Sequence, residues 1–444
     1  MLAAFLTPFM ASSLNLAMPF IGKEFGLSAV TLGWVPTVYI LAAAMLLVPF
    51  GRLADLVGRK RILAMGLVLD ITGSLIGTLA PSAPLLILAR VVQGVGGAMI
   101  FGTSVAILTS VYPPESRGRA LGLSVAATYT GLSLGPVLGG FFVHAWGWRS
   151  IFAVTVPIAA TALILTAFRL KGEWADARGE RFDLAGAVVF GASLISLMYG
   201  FSRLPSTVGI ALTVGGALAL AGFAALELRI SAPLLDLGLF RHNRIFAFSN
   251  LAALINYSST WAVGFLLSLY LQDIRGLGPR EAGLVLIAQP VLMALCSPFA
   301  GRLSDRTEPR LSASVGMGLT AAALVVFGLL RPGTPFWVVV AGLAVLGVGF
   351  GLFSSPNTNA VMGSVDRRSY GVASATLGTM RLSGQMFSAG LMMMLFSLFL
   401  GRQAIIPELY PVFMAAVRTA FVLYAGLCFA GVFASLARGN RPKA

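Results

Sequence analysis

Fourteen apolar stretches, each long enough to cross a membrane, follow one another along this 444-residue chain with short polar connections between them. A helix of about 20 apolar residues spans the hydrocarbon core of a bilayer. Hydrophobic residues make up 57% of the chain and charged residues 11%, which is too little polar surface for soluble domains of this total length. The sequence therefore predicts an all-α polytopic membrane protein with 14 transmembrane helices. The stretches lie at about 2–22, 34–50, 62–80, 85–111, 120–143, 150–168, 184–202, 207–226, 246–271, 282–300, 312–330, 335–356, 372–399 and 409–436.

The lysines and arginines are distributed unevenly between the two sides of the membrane. If the N-terminus is cytoplasmic, 21 of the 31 lie in cytoplasmic loops and the tail, and 7 lie in outer loops. Positive charge marks the cytoplasmic side of membrane proteins. We therefore expect a multi-pass protein of the cell membrane with both termini in the cytoplasm. The net charge of +15 is interpreted as a topology signal and not as a nucleic-acid-binding surface.

The chain repeats itself at an offset of 250 residues. Gly51-Arg-Leu-Ala-Asp55 after the second stretch matches Gly301-Arg302-Leu-Ser-Asp305 after the tenth, and Gly26-Leu with Gly33 matches Gly276-Leu with Gly283. Both connections leave a span in the same direction, which predicts parallel repeats related by an axis along the membrane normal. We expect two six-helix bundles at residues 1–168 and 246–444. Residues 169–245 would form two inserted helices with flanking cytoplasmic loops.

Three motifs resemble those of the major facilitator superfamily. They are the loop motif Gly51-Arg-Leu-Ala-Asp55-Leu-Val-Gly58-Arg59-Lys-Arg, the fourth-helix motif Arg90-Val-Val-Gln93-Gly-Val-Gly-Gly, and the fifth-helix motif Gly131-Leu-Ser-Leu-Gly135-Pro136-Val-Leu-Gly139-Gly140. With fourteen spans, the chain resembles the drug:proton antiporter branch of that family over essentially its whole length. The resemblance implies the major facilitator fold.

By this resemblance, the loop motif and its repeat control gating. The residues concerned are Gly51, Asp55, Gly58, Arg59, Gly301, Arg302 and Asp305. The resemblance implies that this loop grips the opposite bundle and stabilises the outward-open state. The alternative is that its arginines and lysine only anchor the loop at the lipid headgroups.

The fifth-helix motif places glycines on one helical face. Gly131, Gly135 and Gly139 recur every fourth residue, which lets two helices approach closely, and Pro136 permits a bend. The resemblance associates the motif, including Gly140, with antiporters. Close packing without a role in the transport cycle is the alternative.

Proton antiport requires a group that titrates within the membrane. Relatives place an Asp in helix 1 before an Asn-x-x-x-Pro pattern; here Asn15 and Pro19 match, but the acid's position holds Met10. Of the sixteen acidic residues, only Asp70 lies inside a span. Asp70 has two interpretations. It couples proton movement to transport, or its carboxyl group is held protonated or hydrogen-bonded to Thr72, Ser74 or a neighbouring helix.

Arg90 lies within the fourth stretch, with Gln93 one turn away. A cation inside a span is costly and normally faces the bundle interior or water. By resemblance, Arg90 takes part in coupling proton movement to substrate. Because it lies about six residues from the outer end of its helix, snorkelling to the interface is the alternative.

Polar residues in the remaining helices indicate a substrate pathway that is mostly neutral and aromatic, which suits lipophilic or weakly polar solutes better than strongly anionic ones. Each residue alone also fits a helix–helix contact. Arg381 lies deep in the thirteenth stretch with Gln385 one turn on, so an interior partner or substrate contact is expected. The candidates are Asn15, Asn256, Tyr257, Trp261, Arg381 and Gln385.

The sequence favours transport over catalysis. Two histidines and two cysteines cannot form a clustered metal site, no phosphate-binding Gly-x-x-x-x-Gly-Lys loop exists, and no cofactor is expected. The predicted function is alternating-access transport, as proton-linked efflux of small lipophilic or weakly polar compounds. The expected partners are the lipid bilayer, a small-molecule substrate and protons, and the protein is expected to be a monomer. The alternatives are an exporter or facilitator of a specific metabolite without proton coupling and, more remotely, a non-transporting sensor or scaffold.

Overall fold

The computed structural model describes residues 1–112, 114–175, 182–230, 238–306, 308–365 and 370–439, without the side chains of 114–119, 121, 305, 306 and 371. Fourteen helices in these ranges are long and apolar enough to cross a membrane, as the sequence predicts. We number them α1 (Leu2–Phe25), α2 (Ala29–Val57), α3 (Arg59–Leu79), α4 (Ala83–Val111), α5 (Pro114–Trp146), α6 (Arg149–Phe168), α7 (Leu184–Phe201), α8 (Thr207–Glu227), α9 (Arg244–Thr260, Ala262–Leu269 and the π-helical turn Tyr270–Ile274), α10 (Pro279–Leu286 and Ala288–Arg306), α11 (Pro309–Gly328), α12 (Phe336–Met362), α13 (Tyr370–Phe399) and α14 (Tyr410–Leu436). A short helix, Gly238–His242, precedes α9.

The helix ends follow from local chemistry. Gly26 ends α1 in the left-handed conformation, at φ 59°, and the Ser28 hydroxyl caps α2 by accepting a hydrogen bond from the Thr31 amide at 3.2 Å. Gly58 separates α2 from α3 at φ 130°, a conformation that side chains disfavour. The chain therefore turns within a few residues at both ends of α2.

One boundary prediction is wrong. Gly51 and Asp55 were expected in a loop, but they lie in the last turns of α2, and Gly301, Arg302 and Asp305 lie in the last turns of α10. The apolar pattern ends at the first charged residue, whereas backbone hydrogen bonds continue the helix beyond the hydrocarbon region. The motif is thus a helix end followed by a turn at Gly58.

Glycines allow close helix packing within each bundle. A Cβ atom on Gly66 would lie 2.9 Å from the Gly96 carbonyl oxygen, where α3 crosses α4. In the second bundle, a Cβ atom on Gly316 would lie 2.5 Å from the Gly349 carbonyl oxygen, where α11 crosses α12. Helices α7 and α8 pack against each other, and α7 also contacts α2 and α13, one from each bundle.

Several contacts between the two bundles lie at one side of the membrane. We call the side where α1 begins and α14 ends the basic side, which the charge distribution predicts to be cytoplasmic, and the other the opposite side. At the opposite side the Ala29 amide donates to the Gln403 carbonyl at 3.0 Å, and Lys23 and Asp273 form an ion pair at 3.4 Å. Nearby, the Ser268 hydroxyl donates to the Asn15 carbonyl oxygen at 2.6 Å. These contacts join the bundles and close this side.

Candidate functional site

A buried polar cluster lies inside the N-terminal bundle, at the contact of α2, α3 and α4. The guanidinium group of Arg90 donates to Gln93 Oε1 at 2.7 Å and to the Val35 carbonyl oxygen at 3.3 Å. It also lies 4.4 Å from the ring centroid of Tyr39. Gln93 in turn donates to Ser74 Oγ at 2.9 Å. Arg90 is only 2% exposed, so it faces the bundle interior and does not snorkel to the membrane surface.

Asp70 belongs to the same cluster. Its side chain is buried in α3, and it interacts electrostatically with Arg90. Its Oδ2 atom has no hydrogen-bond partner among the described residues, and the anticipated bonds to Thr72 and Ser74 are not formed. Burying a carboxylate oxygen without a hydrogen-bond partner costs free energy unless the carboxyl group is neutral or a nearby cation compensates its charge. The cluster therefore holds one acid and one base within the membrane.

Met10 occupies the place of the expected helix-1 acid. Its side chain is buried in the main hydrophobic core, and Pro19 of the same helix is also buried. A carboxyl group is therefore absent from this position, and Asp70 lies on a different helix. Whether Asp70 takes the role of that acid stays a prediction.

A second polar cluster lies inside the C-terminal bundle. Arg381 Nη2 donates to Thr358 Oγ1 at 2.7 Å, and the guanidinium carbon of Arg381 lies 5.7 Å from the ring centroid of Tyr257. The Tyr257 ring meets the Phe350 ring edge-on at 5.2 Å. We call Tyr257, Phe350, Thr358 and Arg381 the Arg381 cluster. The structure thus brings together Arg381 and Tyr257, two of the predicted pathway residues.

The other predicted pathway residues lie nearby on α1, α9 and α13. Asn15 of α1 faces Gly264 of α9, where a Cβ atom would lie 3.0 Å from the Asn15 amide nitrogen. Asn256 is fully buried, and neither of its amide atoms has a hydrogen-bond partner among the described residues. Trp261 lies at the break in α9 and Gln385 lies one turn beyond Arg381, both half-buried.

Three hydrogen bonds of the loop motif lie within its own half of the chain. Arg59 Nε donates to Asp55 Oδ1 at 2.8 Å, and Arg59 Nη1 donates to Ser110 Oγ at 2.7 Å. The Lys60 amide donates to Glu173 at 2.8 Å. These are contacts with α2, α4 and the segment after α6. The gating role therefore stays a prediction.

The repeat of this motif is described in part. A Cβ atom on Gly301 would lie 2.9 Å from Ser355 Oγ, so α10 approaches α12 closely here. The Arg302 side chain is exposed, and that of Asp305 lies outside the described residues.

The fifth-helix motif packs α5 against α1 and also against the other bundle. A Cβ atom on Gly131 would meet the Phe5 carbonyl oxygen, and one on Gly139 would lie 2.7 Å from Ser13 Cα. A Cβ atom on Gly135 would meet Ser12 Oγ.

The same helix reaches α10 of the other bundle. A Cβ atom on Gly140 would meet the Pro279 carbonyl oxygen, and one on Gly283 would meet the Pro136 carbonyl oxygen. The motif thus contributes to the closed opposite side.

Several members of these clusters have no distinguishing signal in the sequence. Tyr39 lies under Arg90, Thr358 bonds to Arg381, and Thr155 of α6 donates to Ser74 at 3.0 Å. Isolated hydroxyl and phenol groups are frequent in membrane helices, where they bond to the preceding turn. No sequence signal separates these three from the others.

Two facing six-helix bundles, with polar clusters buried in the membrane between and within them, define a polytopic solute transporter. The family model described as Major Facilitator Superfamily matches residues 1–248 and 249–444, and the chain belongs to this family. It is therefore a membrane transporter and not an enzyme. Among the described residues, no group of three or more His, Cys, Asp or Glu side chains could hold a metal ion.

Curated relatives include carriers with different named substrates. The chain is 29% identical to "Riboflavin transporter RibZ" of Clostridioides difficile, over 86% of this chain and 83% of the relative. It is 32% identical to "Multidrug resistance protein Stp" of Mycobacterium tuberculosis, over 83% and 70%. It is 33% identical to "Cephamycin export protein CmcT" of Amycolatopsis lactamdurans, over 88% and 82%.

Solved structures share the fold at low sequence identity. A POT family transporter in complex with a thioalcohol-conjugated peptide has a TM-score of 0.73 at 15% identity, covering 97% of this chain and 93% of that chain. A bacterial homologue of the human lysosomal transporter Spinster, in an inward-facing and unoccupied conformation, has a TM-score of 0.67 at 18% identity, covering 98% and 96%.

Proposed function

We propose that this protein is a secondary active transporter that works by alternating access and exports small lipophilic or weakly polar compounds in exchange for protons. The observation that carries the proposal is that Asp70 of α3 and Arg90 of α4, an acid and a base, are both buried inside the membrane in one polar cluster. Intramembrane ionisable residues mark ion and substrate pathways. The fifth-helix motif and relatives named for multidrug resistance and export support antiport and efflux.

Asp70 has the environment that a proton-coupling group requires. Burial disfavours the charged form of a carboxyl group, while a neighbouring cation favours it. These effects oppose each other at Asp70, so a small movement of α3 relative to α4 changes whether the proton stays. A proton bound in one conformation and released in the other links the bundle movement to the proton gradient.

Transport in liposomes tests this function. The purified protein is reconstituted in vesicles with an acidic lumen and an alkaline exterior, and the uptake of a panel of lipophilic cations, neutral aromatics and metabolites is measured. Protons leaving the lumen should drive at least one compound inward, and a protonophore should abolish its accumulation. Folded protein that moves no compound under the gradient would contradict the proposal.

Replacing Asp70 tests the coupling group. The Asp70→Asn variant keeps the size of the side chain but cannot release a proton, so gradient-driven accumulation should be lost while downhill substrate exchange remains. Glu408→Gln, at an exposed acid of the opposite side, is the matched control and should behave as the wild type. Unchanged coupling in Asp70→Asn would eliminate Asp70 from this role.

A second candidate function is a carrier for one metabolite without proton coupling. The apolar Met10 at the expected acid position and the relative named as a riboflavin transporter favour it. In the liposome experiment it predicts substrate exchange that does not respond to the pH gradient, in the wild type and in Asp70→Asn alike.

The same proposal includes topology and assembly. Both termini lie in the cytoplasm of a cell-membrane protein, because the basic side then faces inward. Residues 1–168 and 246–444 form the moving bundles, and residues 169–245 connect them. The transporter acts as a monomer.

A further inference from the structure

We propose that the Arg381 cluster binds an acidic oxygen group of the transported solute, so that this carrier favours organic anions with an apolar, ring-bearing body. The proposal rests on the transport function above and names a substrate class for it. It departs from the class expected from the mostly neutral side chains of the pathway by adding a negative charge to the apolar body.

Arg381 has donor groups that the protein leaves unused. Its Nη2 atom donates to Thr358 Oγ1 at 2.7 Å, but its Nε atom is buried and has no hydrogen-bond partner in the described part of the chain. A guanidinium group offers five N–H donors in a planar fork that fits the two oxygens of a carboxylate. A ligand oxygen at Nε would satisfy a donor that otherwise remains unpaired.

The carboxylates of the C-terminal half whose side chains the structure describes lie near helix ends and do not contact Arg381. Asp273 pairs with Lys23, Glu281 accepts from the Gly278 amide at 3.0 Å, and Glu308 pairs with Arg310. Glu408 is exposed at the opposite side. Arg381 itself has no ion pair among the described residues. A partly buried cation with no counter-ion among the described residues favours an anion from outside the chain.

Arg90 provides an internal comparison. Its guanidinium group is bonded to Gln93 and the Val35 carbonyl oxygen and lies over Tyr39, with Asp70 close by. The protein thus supplies Arg90 with two hydrogen-bond acceptors and a ring, and an acidic residue lies in the same cluster. It supplies Arg381 with one hydroxyl and one ring.

The Arg381 cluster lies where the two bundles face each other. Gly378 of α13, one turn before Arg381, lies against α2 of the other bundle, where a Cβ atom would be 3.3 Å from Leu47 Cδ2. The Tyr129 hydroxyl of α5 accepts from Ser297 Oγ of α10 at 3.3 Å. The rings of Tyr257 and Phe350 provide apolar surface beside the cation. An anion with a flat apolar body matches both features, because its charge meets Arg381 and its body meets the rings.

Binding of three compounds that share a naphthalene ring tests the proposal. The compounds are 2-naphthoate, its neutral amide 2-naphthamide, and the cation 2-naphthylmethylammonium, titrated calorimetrically into the purified full-length protein in detergent at pH 7. Naphthoate should bind the wild type about ten- to a hundredfold more tightly than the amide, the range of one charge-assisted hydrogen bond. The cation should bind more weakly still.

Variants connect this preference to one side chain. Arg381→Gln should bind naphthoate no more tightly than naphthamide, and Arg381→Lys should restore part of the preference for the acid. Arg418→Gln is the matched control, because Arg418 is an intramembrane arginine of the same bundle outside the cluster. Equal binding of acid and amide to the wild type, undetectable naphthoate binding, or a preference that survives in Arg381→Gln would each overturn the proposal.

The two proposals can fail separately. Gradient-driven transport of neutral or cationic compounds with no preference for naphthoate would leave the transport function intact and remove the anion site. Naphthoate binding that depends on Arg381, without any proton-linked flux, would support the site and remove the proton-linked function.

Discussion

Gly51 and Gly58 of the loop motif have different structural roles. Gly58 adopts φ 130°, and a Cβ atom there would lie 2.5 Å from Glu173 Cδ. Gly51 is helical, and a Cβ atom there would meet nothing within 4 Å. The resemblance treats both as motif glycines, whereas the structure requires a glycine only at the turn.

Alanine substitutions separate the two. Gly58→Ala should lower the free energy of unfolding by about 1–3 kcal/mol, because it adds backbone strain and displaces Glu173 from the Lys60 amide. Gly51→Ala, the matched control, should be neutral or stabilising by up to about 1 kcal/mol, because alanine favours a helix. Thermal unfolding of both variants in one detergent gives the comparison; equal losses would contradict this account of the motif.

At the scale of the helices, α5 depends on close approach to α1. The glycine spacing of the fifth-helix motif correctly predicts a face for close packing, and the structure identifies the partner as α1, with α10 beyond it. Gly122 lies on the same helix but faces open space. A larger side chain is therefore expected to destabilise the protein at Gly131 but not at Gly122.

A substitution pair measures this contact. Gly131→Ala places a methyl group against the Phe5 carbonyl oxygen and should cost about 1–3 kcal/mol of unfolding free energy. Gly122→Ala should cost nothing. Chemical denaturation followed by tryptophan fluorescence gives both values, and a tolerated Gly131→Ala would show that α1 and α5 separate easily.

The sequence was sufficient for the helices but not for the side-chain partners. Apolar length predicts all fourteen spans, because each span must satisfy its own backbone within lipid. It misplaces the ends of α2 and α10, where the helix continues into polar surroundings. Arg90 with Gln93 was predicted from one-turn spacing, whereas the contacts of Arg90 with Tyr39 and of Arg381 with Thr358 join different helices. Such pairs depend on how helices rotate against each other, which a single sequence does not specify.

For the whole molecule, the contacts between the bundles at the opposite side represent one end of the proposed transport cycle. The Lys23–Asp273 ion pair, the Ala29–Gln403 hydrogen bond and the Pro136–Gly283 approach must all separate for that side to open. The ion pair is weak because Lys23 is largely exposed to solvent. The close backbone packing at Gly283 is therefore expected to affect the opening of this side more strongly than the ion pair does.

A bulky side chain at that point should shift the conformational equilibrium. Gly283→Val places a side chain against the Pro136 carbonyl oxygen, so the opposite ends of the bundles should move apart. Spin labels are attached at positions 82 and 402 in a background with Cys296 and Cys428 replaced by serine. Pulsed electron paramagnetic resonance then measures the distance between the two labels. Gly318→Val, where a Cβ atom meets nothing within 4 Å, is the control. Identical distance distributions in both variants would contradict a closing role for this contact.

Proton movement driven by substrate tests the central claim most directly. Vesicles that contain the protein and a compound shown to be transported are diluted into compound-free buffer at equal pH, and the lumenal pH is followed with a trapped dye. Because antiport couples the outward flow of compound to an inward flow of protons, the account predicts that the lumen acidifies, and that a protonophore abolishes the change. Outflow of the compound from folded protein without acidification would contradict proton-linked antiport.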